Sequence, residues 1–150
     1  MNLPPFDDLL GRATDWAERE SAQILARGAP LSPAGLVLAQ KVGVRCPEKI
    51  RIAIVPAVPF PEDPVLRAIA REKKMIAEDT GGMTLFYGIF IRDDQKQRKD
   101  IWPHEYRHVA QYECCGSIRT FLSFYLREVI HFEYGPGPFE VDARKAEENA

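Results

Sequence analysis

The stretch at residues 101–116, "IWPHEYRHVAQYECCG", decides how the rest of the chain is read. It holds two of the three histidines, His104 and His108, at i and i+4, with Glu105 directly after the first. Residues four apart share one face of a helix, so the spacing has a meaning only if this stretch is helical. Independent signals predict a helix over 102–113. Asp100 is placed to cap it, Pro103 falls in the tolerated first turn, and no breaker comes before Gly116. On such a helix both imidazoles can reach one ion, at about 2.0–2.1 Å for zinc, and a catalytic zinc site keeps a position open for water. Glu105 would face that open side, where a carboxylate can take a proton from the water. The plainer alternative is an accidental match, two packed histidines and a surface acid.

Such a site needs a third ligand, and three residues are candidates. Cys114 stands where the pattern HExxHxxGxxH has its last ligand, but that pattern needs a glycine to leave the helix, and Gln111 lets the helix continue. His131 lies in an apolar helix and suits packing or capping. Glu140 starts a new helix after the turn "EYGPGP", as a returning helix would require, and is the best of the three.

Outward from the motif, the chain alternates helices and short strands. A helix over 6–27 is predicted from Phe6, Leu9, Leu10, Ala13, Ala17, Ile24 and Leu25, with Gly28 stopping it. A second follows in "LSPAGLVLAQKVGV", capped by Ser32 with Pro33 at its first position; Leu36, Val37 and Leu38 need a partner surface. Alternation of Ile50, Ile52 and Ile54 predicts a strand within 48–61. A helix over 62–79 turns Leu66, Ile69, Ala70, Met75 and Ile76 inward, and "GGMTLFYGIFIRDD" at 81–94 reads as a second strand. Gly88 inside it marks close approach by another backbone. Ser117 caps an apolar helix bearing Phe121, Leu122, Tyr125 and Leu126, and a last helix begins near Pro138. The order predicts an α+β fold in one domain over 1–150, with a helical N-terminal part (1–47) and a core carrying the metal site (48–150).

Composition sets the bounds. Of 150 residues, 45% are hydrophobic and 28% charged, as in an ordinary globular chain. A net charge of −2 argues against nucleic acid, and the runs "REKK" and "KQRK" sit beside acids as solvated surface. No signal peptide and no apolar run of about 18 residues is visible, so no membrane partner is expected. Three cysteines, Cys46 and the vicinal Cys114 and Cys115, do not form a disulfide framework and suit a reducing cytoplasm. Cys114 and Cys115 read as small apolar helix residues.

With these residues in place, the chain resembles the gluzincins, zinc metallopeptidases in which HExxH on one helix is completed by a glutamate on a later one. It is most similar to small stand-alone gluzincin-like domains. "HEYRHVAQYE", "FLSFYL" and "YGPGPFEVDA" carry the resemblance, with the two strand segments upstream, over roughly residues 35–146. The resemblance implies a zincin-like fold with one Zn²⁺ per chain held by His104, His108 and Glu140, and Glu105 as general base. It implies that a peptide or protein substrate lies along an edge strand near 83–91, consistent with Gly88. An oxyanion donor is expected as well: Tyr134 is favoured over His131.

There are departures. Larger gluzincins often place an aspartate four residues after the ligand glutamate to orient a histidine; here that position is Arg144, and Asp142 is offset to another helix face. Little sequence follows Glu140, so no subdomain is expected to wall the cleft, and a protein partner completing it belongs to the same expectation. The predicted activity is hydrolysis of peptide bonds. The alternatives are a silent zinc-binding domain that binds peptides and a metal-free interaction domain.

Overall fold

The fold is given by a computed structural model that describes residues 2–76, 80–131 and 137–149, with only the backbone of Asn149. The described residues form six α-helices and a four-stranded sheet. The helices are α1 (Phe6–Arg27), α2 (Pro33–Lys41), α3 (Pro64–Glu72), α4 (Ile101–Cys115), α5 (Ile118–His131) and α6 (Pro138–Asn149). The strands are β1 (Ala29–Pro30), β2 (Arg51–Val55), β3 (Gly82–Leu85) and β4 (Gly88–Arg92). Their order is β1-β2-β4-β3; β2 and β4 are parallel and the outer pairings antiparallel. The α+β class is as expected. None of the described helices is long and apolar enough to cross a membrane.

β4 is covered on both faces. Ile89 and Ile91 enter a cluster with Ile50, Ile52, Val109 and Ala110, whereas Phe90 between them joins Leu9, Ala17, Ile24 and Leu122 on the other side. This explains why "GIFI" is apolar throughout instead of alternating. α4 packs against β3 at the sheet's margin and contributes to both clusters, through Tyr112 on one side and Tyr106 on the other. The metal-motif helix is therefore anchored along its whole length.

The expected strand over 81–94 is two strands joined at Phe86–Tyr87, with Leu85 opposite Gly88. The turn carries no glycine or asparagine; Phe86 itself takes the left-handed conformation, at φ 58°, so the usual turn signal is missing. Of this segment only β3 lies at an edge of the sheet, β1 forming the other edge, and the edge strand expected near 83–91 shrinks to residues 82–85. Gly88 lies inside the sheet. A Cβ there would meet the Ile24 side chain at 3.1 Å, so this glycine admits α1 and not a substrate.

Other expectations change in detail. α3 ends at Glu72, short of the expected 79. Lys74 takes φ 55° while Lys74 N bonds Arg71 O and Met75 N bonds Ala70 O, a Schellman stop without glycine. Residues 77–79 lie outside the described residues. Asp63 caps α3, and Ser32 and Ser117 cap α2 and α5 as expected. Asp100 does not cap α4, because its carboxylate is engaged by Arg98. Leu25, Val37 and Ile54, expected to face the core, are exposed.

Candidate metal centre

α4 presents His104 and His108 one turn apart, and α6 crosses it to bring in Glu140. Glu140 Oε2 lies 3.2 Å from His104 Nε2, and Glu140 Oε1 lies 3.2 Å from His108 Nε2. The ligand atoms of the three residues fall within 4.8 Å of one another. Two ligand atoms of a tetrahedral zinc, each at 2.0–2.1 Å, are roughly 3.3 Å apart. Each histidine–glutamate contact matches that separation, though through a different oxygen of Glu140, so the three residues surround one position with the set as a whole still wider than a closed tetrahedron. Among the described residues, this is the group of His, Cys, Asp and Glu that could hold a metal ion.

The far side of each imidazole decides what its near side offers. His108 Nδ1 is 2.8 Å from Gln111 Oε1. Gln111 Nε2 donates to Phe139 O at 3.0 Å and to Asp142 Oδ2 at 2.9 Å, both acceptors, so the amide can turn only its oxygen toward the ring. His108 Nδ1 therefore carries a proton, and Nε2 faces Glu140 as the second N–H of the charged ring or, once that proton leaves, as a lone pair. His104 Nδ1 is buried without a hydrogen bond of good geometry, and Glu147 Oε1 stands 3.0 Å from it. Lone pairs on two nitrogens facing two carboxylate oxygens repel one another unless a cation lies between them, whether metal ion or proton.

The electrostatics agree. Burial acts to raise the Glu140 pKa, but the two imidazoles overcome it and hold the carboxyl far below the usual range. Burial acts to lower the pKa of His108, yet Glu140 and Glu105 push it up to about 9. His104 is raised by the same carboxylates against its burial. The Tyr125 hydroxyl donates to Glu140 Oε1 at 3.2 Å and helps orient the carboxylate.

Glu105 is buried beside the motif. Its carboxylate accepts from Thr84 Oγ1 at 3.0 Å, which ties it to β3. Burial raises its pKa, partly opposed by His108 and His104. A Cβ on Gly82 would sit 3.1–3.2 Å from Glu105 Cγ, Cδ and Oε2, so the strand passes this close only because that residue is glycine. The carboxylate and the start of the edge strand thus share one location. A cavity of about 930 Å³ opens here, lined by His104, Glu105, His108 and Glu140 together with apolar groups such as Leu9, Trp16 and Met83.

The structure brings together His104, Glu105, His108 and Glu140. Cys114 and His131 are exposed and stand outside the group. Tyr134 lies outside the described residues. Asp142 does support a histidine, but through Gln111, and Arg107 Nε donates to the same Asp142 Oδ2 at 2.7 Å. Gln111, Tyr125 and Glu147 have roles that the sequence reading missed. Gln111 was legible as the i+3 neighbour of His108, and Glu147 as the residue two turns beyond Glu140. Tyr125, in an aromatic-rich apolar helix, offered no signal. No family model, no curated protein and no solved structure matches the chain, so the geometry of these residues is the ground for assigning it a function.

Proposed function

We propose that the chain is a zinc-dependent peptidase with a zincin-like build, holding one Zn²⁺ through His104, His108 and Glu140. The observation that carries this reading is the convergence of two imidazole nitrogens on the two oxygens of one carboxylate, with Glu105 buried beside them. Bound there, zinc would lower the pKa of water and polarise a scissile carbonyl. Glu105 takes the proton of the attacking water and delivers it to the leaving nitrogen. Thr84 holds the Glu105 carboxylate in place for both transfers, and Tyr125 keeps Glu140 oriented. Tyr134 is assigned the stabilisation of the oxyanion.

The substrate is an extended peptide that pairs with the outer edge of β3, whose only strand partner among the described residues is β4, at the positions before Thr84, since Thr84 O already accepts from the Tyr112 hydroxyl. Gly82 sets that edge beside Glu105, so a peptide in this register lies over the general base. A protein partner is proposed to complete the cleft. Three unpaired cysteines support assigning the chain to a reducing compartment such as the cytoplasm.

The test is a mixed peptide library read by mass spectrometry, with zinc measured on each sample. Wild type should cleave, and Glu105→Gln should keep zinc and fold while losing two or more orders of magnitude in rate, about the size of a general-base effect. Zinc bound by both and cleavage by neither, with or without candidate partners, would refute turnover and leave a peptide-binding zinc domain.

A further inference from the structure

Glu147 has no part in the ligand set, yet it faces the same helix that carries the histidines. It follows Glu140 by seven residues, about two helical turns, so both carboxylates emerge on the face of α6 turned to α4. Its Oε1 is 3.0 Å from His104 Nδ1. That nitrogen is buried and has no hydrogen bond of good geometry, so the Glu147 carboxylate at this contact distance is the group placed to hold its proton. His108 has a different arrangement, with the Gln111 amide against its Nδ1 and Asp142 behind the amide.

We propose that Glu147 is the positioning residue for His104: its carboxylate holds the proton on Nδ1, fixes the ring's rotation and leaves Nε2 as the ligand nitrogen. The inference rests on the metal-site reading above and adds to it a division of labour. One histidine is steadied by a carboxylate directly, the other by an amide that a carboxylate holds. Both carboxylates, Glu147 and Asp142, reach the site from α6, so the helix that supplies the third ligand also helps to orient the first two. A carboxylate bound to the outer nitrogen of a ligand histidine typically changes metal affinity by 10–100-fold.

The experiment measures zinc affinity by competition with a chromophoric chelator, and the visible spectrum of the cobalt-substituted protein, for wild type, Glu147→Ala, Glu147→Gln and His104→Ala. Glu147→Gln keeps the shape and an acceptor oxygen, so it stays folded and should fall between wild type and Glu147→Ala. Glu147→Ala should weaken zinc 10–100-fold and shift the cobalt bands, with the circular dichroism of the metal-free protein unchanged. A purely structural role for Glu147 would alter that dichroism and leave affinity and bands alone. Affinity within twofold of wild type in Glu147→Ala, with zinc abolished in His104→Ala, would overturn the positioning role and spare the ligand assignment. Wild type that takes up no zinc would overturn both.

Discussion

Removing the metal should loosen α6 before anything else. Among its described side chains, α6 buries only Ala143 and Ala146 fully. Two methyl groups at about 0.8 kcal/mol each, with roughly 1–2 kcal/mol from the partly buried Phe139 packed on Phe121, give about 3 kcal/mol of apolar stabilisation. The Arg107–Asp142 ion pair is 35% and 41% exposed on its two side chains, and pairs of that kind contribute on the order of 0–1 kcal/mol. Zinc at a thousand times its Kd contributes about 4 kcal/mol to the state that binds it, because only a docked α6 completes the site. That is about a thousandfold in the opening equilibrium of the helix. In the metal-free protein the protonated His108 pairs with Glu140 and restores part of this. The expected rise in α6 amide exchange on chelation at pH 7 is therefore between about ten- and a thousandfold. The assay is hydrogen exchange read by mass spectrometry, with and without a chelator, comparing peptides over 138–149 with peptides from α1. Unchanged α6 protection in protein shown to have lost its zinc would refute the reasoning.

Three further outcomes follow from the same geometry. In metal-free protein the His108 pKa is raised to about 9 by Glu140 and Glu105 despite burial, so its contribution is complete below the unfolded value of 6.5 and lost as pH rises through about 9. The urea midpoint of chelated protein should fall across that window while that of zinc-loaded protein does not; parallel falls would count against it. Binding zinc at pH 7 should release protons, since the ligand imidazole must be neutral, and calorimetry in buffers of different ionisation enthalpy would show no release if the histidines were already neutral. Replacing Cys114 and Cys115 together by Ala should leave zinc content at the wild-type level with a modest loss of stability, and loss of the metal would show that a thiol is a ligand.

Much of this was legible in the sequence because the signals were local. His104, Glu105 and His108 declare themselves by helical spacing, and Ser32 and Ser117 announce the helices they cap. The errors fall where a backbone turned without its usual residue. Phe86 in the left-handed region closes the β3–β4 hairpin, and Lys74 in the same region ends α3, so neither break carried a glycine to mark it. Gly88 was noticed for a sound reason and assigned the wrong neighbour, since only the fold shows that Ile24 fills the space above it. Gly82, the glycine that matters to the site, reads in the sequence only as the start of the strand at 81–94. The supports of the histidines come from tertiary contacts between α4 and α6, which a pattern set by one helix's period does not contain.

The central claim is that His104, His108 and Glu140 hold one metal ion, and elemental analysis of gently purified protein tests it most directly. The chain and its variants His108→Ala and Glu140→Ala are reconstituted with zinc, dialysed against metal-free buffer and measured side by side. The account predicts about one zinc per chain in wild type and less than about a tenth in each variant, given that losing one of three ligands removes most of the affinity. Wild type without zinc, or Glu140→Ala with a full complement of it, would contradict the claim.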